Sequence, residues 1–135
     1  MAVPAYTTSL RKSRRSDAKT ALLDLAGREE RYLSTNPAGY SATPADLGLP
    51  GIGAGNPIGT SQYYYISNIC VTAAGAASAC APSNLAGPSF LITVLPMAGT
   101  TQAGDTQCRG FMVDSGGQQY VAAGSSLTAA QCWSN

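Results

Sequence analysis

Seven of the eight Lys and Arg residues in this 135-residue chain fall within its first 31 positions. Arg11, Lys12, Arg14, Arg15, Lys19, Arg28 and Arg31 stand there against Asp17, Asp24, Glu29 and Glu30, a local balance of +3. The remainder carries Arg109 against Asp46, Asp105 and Asp114, a balance of −2. The same boundary separates a charged, helix-forming stem from a Gly/Ser/Thr-rich head that holds all four cysteines. A soluble enzyme rarely segregates its charge in this way; a protein whose stem is buried in an assembly does. The length suits one domain. Charged residues make up 11%, less than half of the roughly one quarter usual in globular domains. The polar content is mostly Ser, Thr, Asn and Gln, so low charge does not imply disorder.

Cys70, Cys80, Cys108 and Cys132 read as two disulfides and therefore as an oxidising, periplasmic or extracellular compartment. Three connectivities are open to four cysteines, and the order of strands favours Cys70–Cys80 with Cys108–Cys132. A metal site is disfavoured, because histidine is absent and no C-x₂₋₄-C pair occurs; no cofactor is expected. The run Ala2-Val3-Pro4-Ala5-Tyr6 is too short for the apolar part of a signal peptide. The bare Met1 ahead of it favours a chain that lacks its natural N-terminus.

Residues 4 to 35 read as one helix. Leu10, Ala18, Leu22, Leu25, Glu29 and Tyr32/Leu33 recur at helical spacing, properly so from Ala18 onward, and Asn36-Pro37 ends the pattern. The expectation is that Ala18, Leu22, Leu25, Tyr32 and Leu33 pack on a sheet while the more polar turns before them project. Residues 36–60, with Pro37, Pro44, Pro50, Pro57 and six glycines, read as a loop with one short turn near Pro44–Leu47. Residues 61–135 form the head, with strands expected over 62–72, 89–95, 106–114 and 118–122. Ser115-Gly116-Gly117 reads as a hairpin turn, and the tail after 122 shows no strand pattern. The fold class is α+β, a long helix on a four-stranded antiparallel sheet.

Little in the chain points to catalysis. Without histidine, Ser-His and Cys-His chemistry is unavailable. Ser115 reads as a turn residue and Tyr63-Tyr64-Tyr65 as strand packing rather than a stacking platform. The run Gly51-Ile52-Gly53-Ala54-Gly55 lacks the strand, helix and Lys of a phosphate loop. Arg11-Lys12-Ser13-Arg14-Arg15 is the one sharp basic cluster. It is open to three readings: a nucleic-acid contact, a solvated helix face, or a cluster beside a membrane.

Three stretches of the stem resemble the type IV pilin family: Ala2-Val3-Pro4-Ala5-Tyr6, Arg11-Lys12-Ser13-Arg14-Arg15-Ser16-Asp17-Ala18-Lys19 and Arg28-Glu29-Glu30-Arg31-Tyr32-Leu33. In the head, Tyr63-Tyr64-Tyr65-Ile66-Ser67, the strand before Pro96, the Cys108 strand and Cys132-Trp133 agree. The pattern is similar to the PilE-like minor pilins. The resemblance implies an apolar segment of ~20 residues ahead of the chain, anchored in the inner membrane before assembly, and an eventual place in an extracellular pilus. It implies sister pilins as partners, with Pro4, Tyr6, Leu10, Arg11, Arg14 and Arg15 as assembly contacts. Cys108 and Cys132 would enclose the variable D-region. The role implied is a structural, non-enzymatic minor pilin supporting pilus assembly, twitching motility and adhesion. A DNA-uptake receptor and a type II secretion pseudopilin are the alternatives. With Arg109 alone against three acids in the head, DNA is expected to be an unlikely partner.

Overall fold

In the computed structural model the described residues are 3–134, with side chains from Tyr6 onward. Helix α1, Val3–Thr35, is the expected single helix, about 50 Å long at 1.5 Å per residue. It closes where the Asn36 N–H and side-chain amide both donate to the Tyr32 carbonyl, immediately before Pro37. The sheet has five antiparallel strands in sequential order: β1 (Pro57–Ile58), β2 (Tyr64–Thr72), β3 (Ser89–Pro96), β4 (Phe111–Asp114) and β5 (Gln119–Val121). The head is therefore a meander, and α1 packs across one face of it.

The core follows from two periodicities. On α1, Ala18, Leu22 and Leu25 are buried, a spacing of three and four that keeps one face inward. From the sheet, Tyr64, Ile66, Phe90, Ile92, Val94, Phe111 and Val113 meet them, with Leu47 closing one edge. Alternate residues of a strand share a face, which places Ile92 and Val94 together. Burying each such aliphatic side chain contributes about 1.5–3 kcal/mol. Tyr32 and Leu33 lie only half-buried at the end of this stripe.

Several sequence expectations are corrected. A fifth strand arises because Pro57–Ile58, read as loop, pairs with Tyr64 and Tyr65 at the sheet edge, where a proline costs no ladder bond. The strand expected from 106 begins at Phe111. Before it, Gly110 passes so close to β3 that a Cβ there would lie 2.8 Å from the Val94 carbonyl oxygen. The tail contains a short helix, α2, at Ala129–Ser134. The 3-10 turn at Pro44–Leu47 is as expected. The disulfides are Cys70–Cys80 and Cys108–Cys132.

Candidate functional site at the helix–head junction

The buried face of α1 is longer than its apolar stripe. Arg15, Ala18, Leu22, Leu25 and Glu29 are all buried, so the stripe begins in a cation and ends in an anion. Each end is handled differently by the head.

At the Arg15 end, the guanidinium grips Asp105 through Nε and Nη2, each 2.6 Å from a carboxylate oxygen, and Nη2 also donates to Gln107 Oε1 at 3.2 Å. The paired, parallel geometry is the strong form of this contact. Asp105 is positioned by the 3-10 helix Thr101–Gly104 that precedes it. From that turn the buried Gln102 amide donates to the Arg11 carbonyl at 3.1 Å and to the Tyr64 hydroxyl at 2.9 Å. Arg14 lies 3.7 Å over the Tyr63 ring and donates to Thr101 Oγ1 at 2.6 Å. Arg11 donates to the Thr101 carbonyl at 3.3 Å through Nη2.

One turn further along, Lys19 Nζ donates to the carbonyls of Cys132 at 3.0 Å and Trp133 at 3.3 Å. Burial, and then the Arg15 charge, push its pKa down. On the flank, Asp17 accepts from the N–H and hydroxyl groups of both Thr60 and Ser61. Burial alone would push the Asp17 carboxyl up; these donors together outweigh it and hold it below the usual carboxylate range.

Among the described residues, no cation forms an ion pair with Glu29. Glu29 Oε1 accepts the Ser41 N–H at 2.9 Å, and Oε2 is buried without a partner. Burial pushes its pKa up to about 7; the Ser41 N–H opposes this, while Glu30 and Asp46 add to it.

These placements revise the sequence reading of the stem. Contact with the head reaches back at least to Arg11, well before Ala18. Arg15, expected to meet sister subunits, is 1% exposed and closed on Asp105, because a guanidinium in phase with Ala18 and Leu22 must face the head. Arg11 and Arg14 are half-buried against the same turn, Leu10 is half-buried, and Tyr6 is 65% exposed. Pro4 lies in the first turn of α1, and its side chain is outside the described residues. Sequence reasoning missed Gln102, Asp105 and Lys19 as partners across this junction. The signal available was the phase of Arg15, and of Lys19 beside Ala18.

The remaining motifs are structural. Tyr64 is buried, with Tyr63 and Tyr65 half-buried. Ser115 Oγ accepts the Phe90 N–H at 3.3 Å. Gly53, at φ 96°, makes the turn that carries its N–H to the Ile66 carbonyl. Together with α1, the 49–62 loop borders a cleft of ≈ 370 Å³ walled by Leu25, Leu49, Ile58 and the Asp24–Arg28 pair. Among the described residues no group of three or more His, Cys, Asp or Glu is placed to hold a metal ion, and no helix is long and apolar enough to cross a membrane.

A family model described as "Type IV minor pilin ComP, DNA uptake sequence receptor" matches residues 4–112. No curated protein matches the chain. The match gives no support to the expectation that DNA is an unlikely partner.

Proposed function

This chain belongs to the type IV minor pilin family, and on that premise we propose that it joins a pilus through α1 and presents its head for DNA uptake. The observation that carries the reading is the family match running from Pro4 through the junction to Met112. The junction suits such a subunit. Arg15, Asp17 and Lys19 tie three separate parts of the head to about one turn of one helix, so the head follows the stem as a rigid body. Tyr6, Lys12 and Leu23 are exposed on the stem and are the side chains offered to neighbours; Pro4, Leu10, Arg11 and Arg14 extend that set.

For DNA, the exposed cations are few. Lys12, Arg31 and Arg109 are exposed, whereas Arg15 and Lys19 are buried in the junction. Recognition by this head therefore relies on polar and aromatic contacts more than on charge. With about three phosphate contacts, the slope of log affinity against log salt is about −3. Fluorescence polarisation with a duplex carrying the uptake sequence, against a scrambled duplex, tests this between low and physiological salt. Preferential binding with a shallow salt slope supports the reading; equal and negligible binding of both duplexes defeats it.

A second reading, a subunit that shapes the filament and supports twitching motility and adhesion, draws on the same rigid junction. Pili assembled with and without the chain, compared for number, motility and surface attachment, distinguish the two: loss of filaments or motility with DNA uptake intact favours the structural role.

A further inference from the structure

A recess of ≈ 180 Å³ opens beside the Arg15–Asp105 pair, lined by Thr8, Arg11, Arg15, Asp105, Thr106 and Gln107. Its lining is polar throughout. Both oxygens of Asp105 are engaged by Arg15 at 2.6 Å, and Arg11 donates instead to the neutral Thr101 carbonyl. Arg15 is 1% exposed, and its Nη1 has no acceptor. A buried donor in that position bears its full desolvation cost until an acceptor reaches it. Gln107 accepts from Arg15 through Oε1, leaving its NH₂ group as a donor. Thr106 adds a hydroxyl.

The backbone keeps room for Arg11 there. Gly104 has no side chain, and a Cβ built on it would lie 2.9 Å from Arg11 Nη2. Two guanidinium groups, a hydroxyl and an amide around a recess of this size present donors on several sides, which suits a tetrahedral oxyanion better than a planar carboxylate.

We propose that this recess is a phosphate-binding socket, in which Arg11 and Arg15 hold a phosphate group against the base of the disulfide-closed loop. The socket stands whether or not the head captures DNA. The phosphate comes either from free inorganic phosphate or from a nucleic-acid backbone, and the two sources are separable by competition.

The test is a titration of the full chain with inorganic phosphate at pH 7.5, with sodium chloride at matched ionic strength as reference, followed by ¹H–¹⁵N NMR. Saturable shifts confined to residues 8–15 and 104–107 are expected. Arg11→Gln should weaken binding about tenfold or more, the effect of one charge-assisted hydrogen bond, and Gly104→Ala should also weaken it by crowding Arg11. Arg28→Gln, which removes a half-buried cation more than four turns further along α1, should leave binding unchanged. These variants avoid Arg15, whose removal threatens the fold. Shifts that grow linearly, that chloride reproduces, or that Arg11→Gln and Arg28→Gln alter equally overturn the proposal. A short oligonucleotide that displaces bound phosphate assigns the socket to a backbone diester; failure to displace it assigns the socket to free phosphate.

Discussion

Arg15 and Asp105, 90 residues apart in the chain, close a two-pronged ion pair with both side chains 1% exposed. Burying two charges is unfavourable unless each is paired and hydrogen-bonded. The pair is therefore better understood as fixing which face of α1 meets the head than as a large net source of stability. Asp105→Ala should destabilise the fold by about 3–5 kcal/mol, because it strands a buried guanidinium. Replacing both partners, Arg15→Met with Asp105→Leu, should recover much of that loss. Denaturant unfolding of the two single variants and the double variant gives the coupling directly; additive losses would contradict the assignment.

Glu29 should make the fold sensitive to pH in the opposite sense from a salt-bridged carboxylate. Its folded pKa is raised from 4.5 to about 7, so the folded state binds more protons than the unfolded state between those values. The stability that protonated Glu29 contributes is complete below pH 4.5 and is lost as pH rises through 7. Integrated, that is about 3 kcal/mol. Glu29→Gln should be more stable than the parent at pH 8 and should flatten the dependence of Tm on pH between 4.5 and 8. A variant that leaves the slope unchanged places the titration elsewhere.

The two disulfides should contribute unequally. Cys108–Cys132 spans 24 residues and Cys70–Cys80 spans 10. The chain-entropy model gives about 3.4 and about 2.7 kcal/mol respectively. Cys108→Ser with Cys132→Ser should also free the α2 backbone that Lys19 holds. Amide exchange near residues 17–21 should then speed up in that double variant and not in Cys70→Ser with Cys80→Ser. Equal protection in both would argue that Lys19 is held independently of the loop.

The apolar stripe should grade by depth. Leu22 is fully buried, so Leu22→Ala should lose about 2–5 kcal/mol. Leu33 is half-buried, and Leu33→Ala should lose clearly less. Thermal unfolding of the two variants checks the order.

Much of this architecture is legible in the chain. The Ala18–Leu22–Leu25 spacing, the stop at Asn36-Pro37 and the apolar run 89–95 each report a local preference, and the order of strands favours the observed cystine pairing among the three that four cysteines allow. Two kinds of feature are not legible. Pro57–Ile58 is too short to show a period of two, and it becomes a strand only because β2 offers an unpaired edge. Arg15 shares the phase of the stripe, but its charge makes it read as a contact facing outward. Whether a buried charge is acceptable depends on a partner such as Asp105, far away in sequence, which no local pattern announces. The basic cluster consequently looks like an outward-facing surface when much of it faces inward.

Lys19 reaches across to Cys132 and Trp133 through their main-chain oxygens, not their side chains. A carbonyl is the same in every amino acid. The exposed positions of the turns after β4 and β5 can thus be rewritten while the clasp beneath them stays fastened and Phe111 and Val113 hold the core, so that one unchanging shaft can wear many different faces.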